Sequence, residues 1–204
     1  MAQVLAVGAH PDDLEVGAGG TLARLSREGA QVTLAVLSVP GDSERRVREA
    51  REAARALGCG LRFVTQDGRH VEDLSAYDVE GALASLVREL RPMLLIAPGL
   101  GDDHLDHVLA AQAAQASTEC GAFDYWRYAT SARAAASGRF RPTVFVDVTP
   151  TLDAKLEAIA AHRSQFGRPG RDPSQAVLAA ARSAGRIAGV RYAEAFEAGR
   201  ILMT

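Results

Sequence analysis

The chain has 204 residues, of which 48% are hydrophobic and 24% are charged, and its net charge at pH 7 is -2. This composition is ordinary for a globular protein, and the length fits one domain, residues 1–204, with a full core. A charge near zero gives no general attraction to polyphosphate or to an anionic membrane, so we expect neither nucleic acid nor membrane as a partner. No run reaches the roughly 18 apolar residues that a membrane-spanning helix needs.

The cysteines and the N-terminal residues favour a cytoplasmic location. Cys59 and Cys120 are far apart and form no CxxC pattern, which is typical of thiols in a reducing compartment. The N-terminal sequence leads directly into a strand-like segment, residues 3–7, without the basic flank and apolar core of a signal peptide. We therefore expect a cytoplasmic protein.

Strand-like and helical segments alternate over the first part of the chain. The strand-like segments are residues 3–8, 31–39, 61–65 and 93–97, and the helical segments are residues 14–27, 43–57, 76–90 and 104–119. This alternation predicts a Rossmann-like α/β fold with three layers, in which helices cover both faces of a mostly parallel sheet.

The remainder of the chain is less regular. The pattern predicts a fifth strand, two helices and a closing strand at residues 142–148, 151–165, 173–187 and 192–196. Residues 123–128 hold the single tryptophan, Trp126, and aromatic side chains in such a stretch more often pack under a loop than line a sugar-binding cleft.

A histidine and three carboxylates follow the first strand, in the motif His10-Pro11-Asp12-Asp13-Leu14-Glu15. Side chains at this point lie at the carboxyl edge of the sheet, where open α/β folds bind their ligands. A phosphate-binding turn is disfavoured, because no GxGxxG spacing follows the strand and the acids would repel an anion. The motif predicts a cation site; the alternative is an acidic helix N-terminus that only interacts with the helix dipole.

A second motif, His104-Leu105-Asp106-His107, follows the fourth strand and therefore lies at the same edge of the sheet. Residues three apart share one face of a helix, and imidazoles with a carboxylate suit Zn²⁺ or Fe²⁺ better than Mg²⁺. The alternative is a solvated helix start capped by Asp102 or Asp103. Because both motifs occur together, we predict one metal site with an open position for water. Spacing alone does not decide which histidine of the second motif binds the metal.

The chain resembles the LmbE-like (PIG-L-type) zinc-dependent deacetylases over essentially its whole length. The two specific matches are Ala9-His10-Pro11-Asp12-Asp13-Leu14-Glu15 to the AHPDDxE signature and His104-Leu105-Asp106-His107 to the HxDH signature. Weaker matches are Arg46-Val47-Arg48-Glu49, Lys155 with the Ser-Gln pair at residues 164–165, and Tyr192-Ala193-Glu194-Ala195-Phe196.

The resemblance implies zinc-dependent removal of an acetyl group from an N-acetylated amino sugar or its conjugate, a small-molecule substrate. It implies that His10, Asp13 and His107 are the metal ligands, and ferrous iron is the alternative metal. It also allows a homo-oligomer, because members of the family often associate.

The resemblance also implies catalytic roles for residues beside the metal. Asp12 matches the general base that takes the proton of the attacking water, and His104 matches the residue that stabilises the oxyanion or protonates the leaving amine. Asp106 matches a residue that orients His104. Glu15 and Arg46 are weaker candidates for substrate contacts, since Glu15 is as well explained by a structural role and Arg46 by a solvated helix face.

Two other functions stay open at this point. A metal-dependent phosphoesterase also uses Asp and His clusters, although it more often needs two metal ions about 3.5–4 Å apart. A binding module that retains the metal without turnover is supported by the short turn at residues 40–42, where many relatives carry a longer loop. That turn also predicts a more open site. For His70 and His162 the sequence favours surface or packing roles.

Overall fold

A seven-stranded sheet lies at the centre of the computed structural model, which describes residues 1–131, 134–135 and 138–203. Its strands are Gln3–Gly8 (β1), Gln31–Val36 (β2), Gly60–Phe63 (β3), Leu94–Pro98 (β4), Asp124–Tyr128 (β5), Val144–Asp147 (β6) and Ala193–Arg200 (β7). The strand order is β3-β2-β1-β4-β5-β7-β6, and β7 is antiparallel to both of its neighbours while the other pairs are parallel. The predicted mostly parallel sheet is confirmed.

Helices connect most of the strands. Within the described residues they are Asp13–Arg27 (α1), Ser43–Leu57 (α2), Ala76–Leu90 (α3), Leu105–Ser117 (α4), Leu152–Ala161 (α5), Arg163–Phe166 (α6) and Ser174–Ala188 (α7). Short 3₁₀ turns are Val71–Asp73, Thr118–Cys120 and Thr149–Thr151. None of these helices has the length and apolar character needed to cross a membrane.

The helices cover both faces of the sheet. Alternate residues of a strand point to opposite faces, so one strand can pack against both layers of helices. Val4 and Ala6 of β1 belong to a core cluster that includes residues of α1, α2 and α5. Leu5 and Val7 belong to a second cluster with residues of α3 and α4. Both faces of β1 are therefore buried, which explains its unbroken apolar sequence and confirms the three-layer prediction.

The C-terminal part of the sheet differs from the sequence prediction in one strand. Asp124–Tyr128 forms β5 beside β4, although the sequence predicted no strand there. Tyr125 is buried, and Trp126 packs against Phe196 of β7 with 5.7 Å between ring centroids. These aromatic side chains thus pack against the core, Trp126 only partly buried, as the sequence favoured over a sugar-binding cleft, but they do so from a strand and not under a loop. β7 extends beyond the predicted closing strand to Arg200, because it pairs with both β5 and β6.

The structure divides the helix predicted over residues 151–165 at His162. α5 ends before this residue, whose backbone dihedral angles are φ -80° and ψ 57°, and α6 begins directly after it. Ser164 gives the break a physical cause, since its backbone N–H and its hydroxyl donate to the buried carboxylate of Glu49 at 2.9 and 2.5 Å. The change in chain direction at the end of α5 allows these two hydrogen bonds to Glu49 to form.

A buried ion pair connects the C-terminal elements to α1. Lys155 of α5 contacts Glu194 of β7, and both side chains are almost inaccessible to solvent. Lys155 also donates to the backbone oxygen of Val16 at 2.8 Å, and Glu194 accepts from the backbone N–H groups of Gly20 and Thr21 at 2.9 and 2.7 Å. These contacts fix the helix that begins at the first motif.

Gly17→Ala is expected to destabilise the protein. A Cβ atom at Gly17 would lie 2.1 Å from the ring of Tyr128, a fully buried side chain whose hydroxyl donates to the backbone oxygen of Val7. Overpacking of this kind costs about 1–3 kcal/mol, or a few degrees of melting temperature, measurable by thermal unfolding. Gly81→Ala in α3 is the matched control, because nothing lies within 4 Å of its Cβ position and alanine favours a helix. An unchanged melting temperature for Gly17→Ala would contradict the packing described.

Candidate metal centre

The candidate site lies where the strand order of the sheet reverses. From β1 the chain continues to β2 on one side of the sheet, and it later returns to β4 on the other side of β1. Open α/β sheets bind ligands in the crevice at the carboxyl ends of two such strands. The first motif connects β1 to α1 and the second connects β4 to α4, so the structure brings the two motifs together here.

Three of the predicted residues form a cluster that is able to hold a metal ion. The ligand atoms of His10, Asp13 and His107 all lie within 4.8 Å of one another. Nε2 of His107 is 3.2 Å from Oδ1 of Asp13, and Nδ1 of His10 is 3.8 Å from Oδ2 of Asp13. Two imidazoles and a carboxylate are the donor set of many catalytic zinc sites, which keep a fourth position open. The residues present therefore fit a metal.

The ionisation of the cluster follows from burial and from the alternation of acids with imidazoles. Burial lowers the pKa of His10 below its usual 6.5, so this ring is neutral at neutral pH. Burial would raise the pKa of Asp13, but the hydrogen bond and charge of His107 and the charge of His10 bring it to about 2. Burial would lower the pKa of His107, but Asp13 and Asp102 raise it to about 9. A metal must therefore displace a proton from His107.

The carboxylate of Asp106 orients His10, whereas the sequence had indicated His104 as its partner. Asp106 is 0% exposed and lies 2.7 Å from Nε2 of His10, and it accepts from the backbone N–H of Glu72 at 2.8 Å. The described contact between Asp106 and His104 is instead a backbone one, in which the Asp106 N–H donates to Nδ1 of His104 at 3.2 Å. His70, which the sequence placed in a surface loop, also lies 3.1 Å from the Asp106 carboxylate and remains half exposed.

Asp102 performs the same task for His107. One of its oxygens lies 2.8 Å from Nδ1 of His107 and accepts from the hydroxyl of Thr130, while the other accepts the backbone N–H of His104 at 2.9 Å. A carboxylate can only accept, so Nδ1 of His107 carries the proton and Nε2 faces Asp13. The sequence treated Asp102 only as a helix cap and missed this contact.

Asp106→Ala is expected to weaken metal binding by roughly 10–100-fold, because hydrogen-bond partners of metal-binding histidines contribute on that scale. The variant leaves Nε2 of His10 without its acceptor, so the ring loses its fixed orientation. Competition with a chelator measures the affinity. Gln115→Ala, at an exposed position of the same helix, is the control and should bind metal as the wild type does. Unchanged affinity in Asp106→Ala would show that the ring is held by other contacts.

Asp12 lies beside the cluster in a strained backbone conformation. Its φ of 106° is in the left-handed region, which residues other than glycine seldom adopt and which is frequent at functional sites. Burial and the charge of Asp13 raise the pKa of Asp12 to about 7, against the opposing charge of Arg46. Within the described residues, Asp12 belongs to neither group of converging ligand atoms. It is thus a carboxylate close to the cluster that stays outside the ligand set.

The two candidates for substrate contacts are engaged inside the protein. Arg46 is 8% exposed and donates to the backbone oxygens of Pro40 and Pro11, both at 3.1 Å, and to Asp12 at 3.4 Å. It therefore holds the turn that carries Asp12, and the solvated position favoured by the sequence is wrong.

Glu15 is 4% exposed and lies 3.3 Å from Nε2 of His162, which is buried as well. These two side chains link α1 to the break between α5 and α6. The packing role favoured for His162 agrees with this position, and the location of Glu15 agrees better with a structural role than with a substrate contact.

The fold has three α/β layers, and the cluster of His10, Asp13 and His107 lies where the strand order of the sheet reverses. Together these two features define an α/β protein that is able to hold a metal ion. The chain belongs to the PIG-L family, since the family model described as GlcNAc-PI de-N-acetylase matches residues 5–118, which include both motifs. The resemblance noted in the sequence is confirmed.

Relatives and solved structures agree with this membership. An uncharacterized deacetylase, YaiS, from Escherichia coli (strain K12) is 32% identical over 120 residues, covering 54% of this chain and 64% of the relative. The chain thus spans less than two thirds of the length of the first curated relatives that it matches. The structure of the conserved protein TT1542 from Thermus thermophilus is 30% identical with a TM-score of 0.82, covering 100% of this chain and 97% of that chain. N,N'-diacetylchitobiose deacetylase from Pyrococcus horikoshii is 25% identical with a TM-score of 0.77, covering 96% and 83%.

Proposed function

We propose that the protein is a metal-dependent hydrolase that removes the acetyl group from an N-acetylated amino sugar or its conjugate. The observation that carries this proposal is the convergence of His10, Asp13 and His107 beside a carboxylate, Asp12, that stays outside the ligand set. The names of the family and of the diacetylchitobiose deacetylase support an amide bond on an amino sugar as the target.

Zinc is the metal that we propose, with ferrous iron as the alternative that the same donors accept. When bound by His10, Asp13 and His107, zinc supplies Lewis acidity toward the acetyl carbonyl and acidifies water at the site. Because Nε2 of His10 is hydrogen-bonded to Asp106, the second group of converging atoms, His10 with His70 and Asp106, is better explained as orienting contacts than as another metal site. We therefore expect one metal ion per chain.

Asp12 takes the proton of the attacking water. Its carboxylate is held by Arg46 at 3.4 Å, and its raised pKa brings its basicity close to neutral pH, where a general base is most effective. His104 is the proton donor in this proposal. Its Nδ1 accepts from the Asp106 N–H, so its proton is on Nε2, and the exposed ring can donate that proton to the oxyanion or the leaving amine. The products are acetate and the free amine.

Arg46 and Glu15 act as positioning residues in this proposal. Arg46 holds the Asp12 turn, and Glu15 pairs with His162, so direct substrate contacts are left to the groups that face the cleft. We further propose a single domain over residues 1–204, a cytoplasmic location and a small-molecule substrate. A homo-oligomer is compatible with the proposal.

Acetate release from a panel of N-acetylated amines, with and without a chelator, tests the function. Release from amino sugars that stops with chelation and returns with zinc is the expected result. Phosphate release from phosphoesters with about two metals per chain would indicate a phosphoesterase instead. Metal retention without turnover of any amide would indicate a binding module.

A further inference from the structure

A cavity of about 510 Å³ opens beside the candidate metal centre. Asp12 and Asp13 line it on one side, and residues of β6, β7 and α7 line it elsewhere. Its volume lies within the roughly 300–1,000 Å³ of small-molecule pockets, so it is large enough for a substrate group in addition to the reacting amide. The cavity and the metal cluster thus form one continuous site.

The wall of the cavity is mainly apolar. Phe140, Phe145 and Phe166 contribute partly exposed aromatic side chains. Ala180 and Ile187 belong to a row of α7 residues that lines the cavity. Ile187 is 70% exposed, so much of its apolar surface is in contact with water. An apolar ligand here would remove such surface from water.

The charged residues of the described lining, apart from the two aspartates, are already neutralised. Lys155 and Glu194 bind each other and the backbone of α1, so they require no polar partner from a ligand. The hydroxyl of Thr130, another lining group, donates to Asp102. An apolar ligand group would therefore break no hydrogen bond of these residues, and little desolvation cost opposes its binding.

We propose that this cavity binds an apolar group carried by the amino-sugar substrate, which is either an N-acyl chain longer than acetyl or an apolar aglycone. This inference rests on the proposed deacylation, because the cavity begins at Asp12 and Asp13, where the amide would react. Each methylene that becomes buried improves binding by about fourfold. A hexyl group that buries only part of its length should therefore improve kcat/KM at least about tenfold.

Three substrates distinguish the two sources of the apolar group. They are the methyl glycoside of N-acetylglucosamine, its N-hexanoyl analogue, and the hexyl glycoside of N-acetylglucosamine. A gain of about tenfold or more in kcat/KM for the N-hexanoyl substrate assigns the cavity to the acyl chain, and the same gain for the hexyl glycoside assigns it to the aglycone. Equal kcat/KM for all three overturns the inference and leaves the proposed function intact.

Two neighbouring alanines of α7 provide a matched pair of variants. Both are exposed to solvent, but Ala180 lines the cavity and Ala179 lies outside its lining. Ala180→Glu puts a charge into the apolar wall and should reduce the ratio of kcat/KM between the preferred hexyl substrate and the methyl glycoside about tenfold. Ala179→Glu should keep the wild-type ratio. The same ratio in both variants would contradict the assignment.

Binding measurements separate this inference from the proposed function. If no substrate is hydrolysed, the function fails, and calorimetric binding of the hexyl and methyl glycosides then decides the cavity. The N-hexanoyl analogue is measured beside them. Affinity about tenfold higher for either hexyl compound than for the methyl glycoside supports an apolar site, and equal affinity of all three overturns it. A dimer that Ala180→Glu dissociates, without any preference for hexyl groups, would assign the cavity to a second copy of the chain and would also overturn the inference.

Discussion

Asp12→Asn is expected to lower turnover by about 10²–10⁴-fold while the metal content stays unchanged, because this is the range that a general base contributes. Among the described residues, the carboxylate of Asp12 lies outside the group formed by His10, Asp13 and His107. Arg46 holds it in place at 3.4 Å. An amide has nearly the shape of the carboxylate but does not take up a proton, so the variant removes the base and leaves the ligands.

Asparagine is the appropriate substitute for backbone reasons as well. Asp12 has a φ of 106°, and asparagine is among the residues that best tolerate positive φ, so the strained turn should persist. Acetate release, metal content and melting temperature measured on the same preparation separate catalysis from folding. Asp42→Asn is the control, because Asp42 caps α2 from an exposed position and asparagine caps equally well. Full activity in Asp12→Asn would show that the assigned base is wrong.

The position of the site was predictable because of the parallel strand order. His10 and Asp106 are 96 positions apart in sequence, yet their side-chain atoms lie 2.7 Å apart. Each belongs to a motif in the connection between a parallel strand and the next helix, and the carboxyl ends of parallel strands lie at one edge of a sheet. Two short motifs together with an alternating pattern were therefore enough to expect one site.

The hydrogen-bond partners of the histidines were not predictable in the same way. Asp102 accepts the backbone N–H of His104 as a helix cap does, and its other oxygen binds His107. A capping aspartate and an orienting aspartate have the same sequence pattern, and only the path of the loop distinguishes them. His70 reaches Asp106 through a loop whose polar sequence carries no periodicity.

The missed strand and the divided helix have related causes. β5 lacks the continuous apolar run of β1 and β4, because Trp126 and Arg127 are only partly buried beside the antiparallel β7. The helix over residues 151–165 breaks because Ser164 binds Glu49 of α2, a contact between distant segments. The sequence pattern within one segment does not record contacts with distant segments, so these contacts can override the secondary structure that the pattern predicts.

His107→Ala is expected to abolish metal retention, and His104→Ala is expected to preserve it. His107 presents Nε2 to Asp13 at 3.2 Å within the cluster, so its removal leaves two protein ligands. The loss should exceed the roughly 10–100-fold that removal of a ligand's hydrogen-bond partner costs. His104 is outside the cluster of the described ligand atoms, and its loss should instead lower turnover by about 10²–10³-fold, as loss of an oxyanion donor does.

The two variants must be measured side by side, because the imidazole rings of His104 and His107 are neighbours. The centroids of His104 and His107 are 4.7 Å apart in a stacked arrangement, so a change at either residue disturbs the same region. Zinc content after dialysis against a weak chelator, and circular dichroism as a check of folding, should be measured for both variants beside the wild type. Zinc retained by His107→Ala but lost by His104→Ala would exchange the two roles. Zinc lost by both would place His104 in the ligand set, and the donor for the leaving amine would then have to be another residue of the cleft.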